Sequence, residues 1–223
     1  MCSNAYYIKN KTIEEHSLTL TEFRKHFNVS RETISYLTLY ESLLKKWNQK
    51  TNLVSKNSLD DAWGRHFLDS AQLVKHCQPE NKLWLDFGSG AGFPGVVSAI
   101  ILRDRGINTN FVLVEKNKTK AFFLGELKRR LDLSLDIICE NIKEIDPLKA
   151  DIISARAFSH LENLLPVSNY HGKEKSVSLF LKGKNIREEL DKTFKMWFFQ
   201  YDIISSISSI DGKIIKINKL HKL

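Results

Sequence analysis

Ten consecutive residues carry the densest chemical information in the chain: Asp86-Phe-Gly88-Ser-Gly90-Ala-Gly92-Phe93-Pro94-Gly95. An apolar stretch, residues 83–87, runs straight into them. Glycines at this density let the backbone take positive φ and approach a ligand closely. Pro94 suits the first turn of a following helix, where its missing N–H costs nothing and its φ is already helical. The loop is therefore expected to aim a helix N-terminus at a bound ligand. Glu115 ends the next apolar run, 111–114. A carboxylate at a strand end about 25 residues beyond such a loop can accept hydrogen bonds from both hydroxyls of a ribose. Asp86, at the head of the loop, is a second acidic candidate. Together these residues read as a site for a cofactor containing a nucleoside. Cys2, Cys77 and Cys139 are odd in number and far apart, and the seven histidines include no HExxH and no zinc-spaced pairing with cysteine. Neither a disulfide framework nor a metal site is expected from them.

Holding that loop in place requires a sheet. Short apolar runs at 83–87, 111–114, 135–139, 152–154 and 177–181 alternate with helical stretches, among them one from Gly95 to Leu102. This alternation implies a parallel sheet covered on both faces. In the tail, residues 201–210 and 213–217 are strand-like runs around Asp211-Gly212, a local signal for a two-residue hairpin turn. Upstream the period changes. Ile34, Leu37, Tyr40, Leu43, Leu44 and Trp47 are spaced by three and four, which predicts an amphipathic helix over 31–47 with Ser30 as its N-cap. A second helix is expected over 60–76, where Phe67, Leu68, Ala71 and Val74 share a face and Asp60 and Asp61 meet the positive end. The expected organisation is a helical extension, 1–80, followed by an α/β domain, 81–223, whose mostly parallel sheet ends in an antiparallel hairpin.

A dinucleotide site wants G-x-G-x-x-G, and here the third glycine position is Phe93. The loop as written, Asp86-x-Gly88-x-Gly90-x-Gly92, resembles the first motif of S-adenosylmethionine-dependent methyltransferases, and the overall plan resembles the Rossmann-like class I methyltransferase fold. In that motif the loop passes beneath the methionine part, which makes Asp86 a candidate partner for its ammonium, directly or through water. Asn52-Leu53, Arg65-His-Phe-Leu-Asp-Ser70, the 86–95 loop and Ser154-Ala-Arg156-Ala-Phe158 then resemble, in order and spacing, the ribosomal RNA small-subunit methyltransferase G family. That resemblance covers residues 33–184.

The resemblance implies methyl transfer from S-adenosylmethionine to N7 of one guanine in 16S ribosomal RNA. It also implies cofactor contacts at Gly88, Phe93, the Ile142-Lys143 backbone and Arg156, alongside Asp86, Gly90 and Glu115. Glu115 matches an acidic ribose position that is aspartate in many members. Arg65, His66, Asp69 and Arg156 are placed around the reaction cleft as positioning groups, with His66 and Asp69 expected to pair with each other or to cap a neighbouring element. N7 carries an in-plane lone pair and no proton, so no general base is required and no nucleophile is expected. Catalysis then rests on alignment and electrostatics.

The charge agrees with a polyanionic substrate: net +8 over 223 residues, with 12 basic against 7 acidic residues in 156–223. Lys173, Lys175, Lys182, Lys184 and Arg187 are expected near the mouth of the site as phosphate contacts, and Lys128-Arg129-Arg130 on a helix as a second cluster. Phe93 and Phe158 are candidate stacking platforms for an exposed base. The expected partner is 16S RNA or the 30S subunit, without a membrane or an obligate protein partner. The longest apolar run, 96–102, is too short to span a bilayer, so a cytoplasmic protein is expected. Two alternatives stay open on the residues alone: a methyltransferase of another acceptor, and an NAD-dependent oxidoreductase on a Rossmann fold.

Overall fold

The structure, a computed structural model, describes residues 20–156 and 159–223. Its centre is a seven-stranded sheet in the order β3-β2-β1-β4-β5-β7-β6. The strands are β1 (Lys82–Phe87), β2 (Thr109–Val114), β3 (Asp136–Ile138), β4 (Ala150–Arg156), β5 (Gly172–Lys182), β6 (Trp197–Ser205) and β7 (Lys213–Lys222). All neighbours are parallel except β7, which runs antiparallel to both β5 and β6. Because β2 lies on one side of β1 and β4 on the other, the strand order reverses beside β1, and ligands of open α/β sheets bind at the carboxyl edge of such a point.

Upstream of the sheet, α1 (Arg31–Asn48) begins where the sequence predicts, with the Ser30 hydroxyl accepting from the Thr33 N–H. A short α2 (Lys56–Asp60) follows. The next run is helical as expected but irregular: a π-type segment (Trp63–Leu68), an α turn (Asp69–Ala71) and a 3-10 turn (Gln72–Lys75), together called α3. The strands are joined by α4 (Gly95–Asp104), α5 (Lys118–Arg130), α6 (Leu161–His171) and α7 (Ile186–Thr193).

Side chains alternate along the strands and feed two cores. Trp84 and Leu113 face one core together with Leu37, Tyr40, Phe67, Ile100 and Phe123. Leu85, Phe87, Val112 and Val114 face the other, with Leu161, Leu165 and Phe180. The first core contains α1 and α3, so these helices cover one face of the sheet. Their attachment is also polar: Asp104, at the end of α4, accepts from Ser30 N and from Thr33 Oγ1 at 2.7 Å. Among the described residues no helix is long and apolar enough to cross a membrane.

Two expectations about the tail need correction. Asp211-Gly212 does not form a two-residue turn; the strands are joined by residues 206–212, folded back by a Ser206 N–H to Gly212 carbonyl bond of 3.0 Å. β5 begins at Gly172, five residues before its apolar run, because the polar stretch 172–176 bulges out between Gly172, opposite Ala150, and Val177, opposite Ile152, and so reaches the amino edge.

Candidate active site

The glycine loop leaves β1 at the carboxyl edge and is pinned from three sides. From β2, the Val114 carbonyl accepts from Gly88 N (2.8 Å) and Ser89 N (3.2 Å), continuing the sheet register into the turn. From beyond β2, Glu115 accepts from Gly90 N with one oxygen and from Asn117 N with the other, each at 2.8 Å. From above, the Tyr40 hydroxyl on α1 donates to the Ala91 carbonyl. Gly90 has φ +57, and a Cβ there would make only ordinary contact with the Gly88 carbonyl oxygen, at 3.8 Å. Gly92, at φ +97, has no such room, since a Cβ would lie 2.5 Å from the Tyr40 hydroxyl and 2.7 Å from Val96. Only glycine closes this turn under α1.

Asp86 lies beneath the loop. It is fully buried, with Oδ1 accepting from Ser154 Oγ at 2.6 Å and Oδ2 from Gly95 N at 3.2 Å. Ser154 in turn accepts from the Trp84 indole at 2.8 Å, so one polar chain ties β1 to β4 and to the start of α4. Burial, outweighing these bonds, pushes the Asp86 carboxyl up to about 6. The direct ligand contact expected of Asp86 is therefore not offered by this geometry. The carboxylate is sealed from the cleft and acts on the shape of the loop.

An open cleft of about 760 Å³ faces the loop. Gly88, Gly90 and Phe93 form one wall, and Arg65, His66, Asp69 and Arg156 form another. These two sequence-predicted sets therefore meet, brought together by the β1–β4 pairing and by α3 packing over it. The Phe93 ring stacks on Tyr40 (centroids 5.1 Å, 7°) and on His66 (4.6 Å, 15°), with the Arg156 guanidinium carbon 4.7 Å from its centroid. It is 3% exposed and committed to packing, which removes it as a free platform for a base. The other candidate platform, Phe158, lies outside the described residues.

Arg156 donates to the Arg65 carbonyl at 2.8 Å and pairs with Asp69 at 4.0 Å, linking the end of β4 to α3. Asp69 and His66 do not pair with each other. Asp69 Oδ1 instead accepts from Ser208 Oγ (2.7 Å) and Ser206 Oγ (3.2 Å), while Gln72 donates to Ser206 Oγ and accepts from Ile207 N. The 206–212 connection is thereby drawn over the cleft, where Ser208, Ser209 and Gly212 become lining residues. This wall is not signalled in the sequence, because its anchors are more than 130 residues away.

Among the described residues, neither buried ring nitrogen of His66 has a hydrogen-bond partner. Burial, with Arg156 and Arg65 beside it, lowers its pKa to about 3, so the ring is neutral at physiological pH. The Arg65 side chain is exposed at the rim.

Three further expectations differ. Ile142 is buried in the second core and its carbonyl faces the His171 ring nitrogen at 2.8 Å, while the Lys143 N–H is taken by Asn141 Oδ1 at 3.2 Å. Neither lines the cleft. Lys182 does reach it, but its ammonium is held by Glu189 at 2.6 Å and by the Ser159 carbonyl. Lys173 and Lys175 sit at the opposite end of β5, away from the mouth, because the strand is longer than its apolar run. Lys128, Arg129 and Arg130 occupy the exposed last turn of α5, with Arg129 paired to Glu126.

A parallel sheet with this order, an antiparallel terminal hairpin and a glycine loop at the reversal point define a Rossmann-like class I methyltransferase fold. Solved structures agree with that architecture. M. jannaschii TYW2 in complex with AdoMet aligns with a TM-score of 0.52 at 14% identity, covering 76% of this chain and 78% of that one. A mutant of MtNAS in complex with S-adenosylmethionine aligns at 0.56 and 14%, covering 82% and 74%. The family description "rRNA small subunit methyltransferase G" matches residues 33–218. Curated proteins named ribosomal RNA small subunit methyltransferase G include one from Ruegeria pomeroyi, 41% identical over 85% of this chain and 93% of its own length. Another, from Rhodospirillum centenum, is 34% identical over 96% of both. The chain belongs to the rRNA small subunit methyltransferase G family.

Proposed function

We propose that this protein transfers the methyl group of S-adenosylmethionine to N7 of one guanine in 16S ribosomal RNA, free or within the 30S subunit, in the cytoplasm. Its family and fold make it an S-adenosylmethionine-dependent methyltransferase of ribosomal RNA; the acceptor atom and the state of the substrate are our reading. The observation that carries it is the single cleft joining the glycine loop to the Arg65, His66 and Arg156 wall.

The residues present suit the cofactor. The cleft has the size of a small-molecule site, Gly88 and Gly90 both have positive φ, and a Cβ at Gly90 would meet nothing nearer than the Gly88 carbonyl oxygen at 3.8 Å. Bound there, S-adenosylmethionine supplies a methyl group on an electron-poor sulfonium. Gly88 and Gly90 would give the backbone close approach; Glu115 is buried just behind Gly90 and outside the cleft lining, with both oxygens engaged by Gly90 N and Asn117 N, and would take the ribose hydroxyls with its remaining lone pairs. Phe93, clamped by Tyr40 and His66, fixes the loop's far end. Arg156 holds α3 against β4, and Arg65 takes substrate phosphate at the rim. The N7 lone pair attacks without losing a proton, so a neutral His66 is no obstacle and no base is needed.

Equilibrium dialysis with S-adenosylmethionine, with NADH fluorescence as the comparison, tests the cofactor. Labelled-methyl transfer into ribosomal RNA tests the reaction. Cofactor retention with label in RNA is expected; NADH binding without methyl transfer would sink the reading.

A further inference from the structure

A second concavity, of about 830 Å³, opens at the amino edge of the sheet, the end opposite the cleft. It is lined by five lysines, Lys75, Lys82, Lys173, Lys175 and Lys216, against two carboxylates, Asp151 and Asp202. Asp151 is already engaged, by Lys173 at 2.8 Å and Lys82 at 3.8 Å. Lys75 is held in place, donating to the His26 carbonyl at 3.0 Å with its ammonium 4.3 Å from the Phe27 ring centroid. Lys175 is exposed, and Lys216 faces Asp202 across the β6–β7 register without an ion pair forming. The groove thus has a cationic surplus in a concave, low-dielectric setting, which concentrates field and attracts polyanions. His76, also in the lining, feels that field: after burial, the charges of Lys216 and Lys75 lower its pKa.

Surface lysines also serve solubility, but these five converge on one groove, where Lys75 and Lys173 are fixed by hydrogen bonds. Three of the five, Lys173, Lys175 and Lys216, come from the last third of the chain, where the excess charge sits. Lys173 pairs with Asp151 at the start of β4, while Lys182 lies just beyond the register partner of Arg156 at its end, so the two surfaces are on the order of 20 Å apart along the sheet. We propose that this groove is a second docking surface for the RNA substrate, taking the phosphate backbone of a segment remote from the modified guanine. The inference rests on the reading of the substrate as ribosomal RNA. Contacts of this kind set affinity and orientation and carry no base sequence.

The test is filter binding of 16S RNA to the full chain over a salt series, with Lys175→Glu and Lys216→Glu combined. Dissociation constants about tenfold higher are expected, and a log–log salt slope shallower by about 1.4 to 1.8, the value of two phosphate contacts. Cofactor affinity by dialysis and the single-turnover rate at saturating RNA should stay at wild-type values. Lys175→Gln with Lys216→Gln, which removes charge without adding repulsion, should shift the slope in the same direction and guards against a folding artefact. An unchanged slope overturns the proposal. So does an equal change from Lys46→Glu on α1 with Lys50→Glu in the turn after it, which would reduce the effect to net charge, or selective loss of anionic vesicle binding with RNA binding intact. Wild-type protein that binds RNA but never methylates it would contradict the reaction instead, leaving the slope test of the groove standing.

Discussion

Asp86 holds a carboxyl group where water does not reach, and its protonation is a matter of stability. Its pKa rises from an ordinary 3.8 to about 6 through burial. Between those values the folded protein keeps a proton that the unfolded chain releases, so this group's contribution falls as pH rises through that window and is at its least favourable above 6. Asp86→Asn keeps an acceptor for Gly95 N and removes the buried charge. Its stability relative to wild type should therefore climb between about pH 4 and pH 6.5 and level off above, with a limit of roughly 2–3 kcal/mol; a constant difference from pH 4 to 7 would contradict the account. Arg156 is the complementary case, a cation whose bonds span β4, α3 and Phe93. Arg156→Ala should cut methyl transfer by about 100-fold through misplacement of α3 and the loop, with a melting point only a few degrees lower, and Arg156→Lys should not restore it. Turnover at wild-type level in the alanine variant would remove Arg156 from the site. Because His66 is neutral and N7 needs no base, single-turnover rates should be flat from about pH 7 to 8.5. An inflection in that interval would indicate a proton transfer that the geometry does not provide.

The decisive element is the 206–212 connection, tied to α3 through Asp69 and Gln72. Asp69→Ala should free it, speeding amide exchange at 206–212 and costing about 0.5–1.5 kcal/mol for the hydrogen bonds lost by half-buried Ser206 and Ser208; unchanged exchange there would mean that the tether carries no weight. The same connection marks where sequence reading stops. Local spacing and residue type give α1, its Ser30 cap, the succession of strand-like runs along the chain and the helix after the glycine loop, but not the order of the strands in the sheet. Asp211-Gly212 reads locally as a tight turn, yet Asp69 and Gln72, distant in sequence, hold the preceding serines and impose a longer loop. The loop's glycines and Glu115 are legible from residue type and spacing, and Arg156 through the resemblance that Ser154-Ala-Arg156-Ala-Phe158 carries. The sealing of Asp86 is not, because it depends on Ser154 being the register partner of Asp86 across the β1–β4 pair. Lys173 and Lys182 look adjacent in sequence and lie at opposite edges because five polar residues extend β5 beyond its apolar run.

On the scale of the whole molecule, the sheet separates two surfaces. Its carboxyl edge carries the glycine loop, the Arg65 and Arg156 wall and the hairpin connection in one cleft. Its amino edge carries the lysine groove. With α1 and α3 built into the core that braces the loop through Tyr40 and Phe67, the residues upstream of β1 position the site as well as cover the sheet. The measurement that bears most directly on this account is transfer of labelled methyl from S-adenosylmethionine to 30S subunits and to naked 16S RNA from cells lacking the modification. N7-methylguanine is then mapped by chemical strand cleavage. The account predicts label at a single guanine, at N7, in at least one of the two substrates. Label at another atom, or none in either substrate while the protein binds the cofactor, would contradict it.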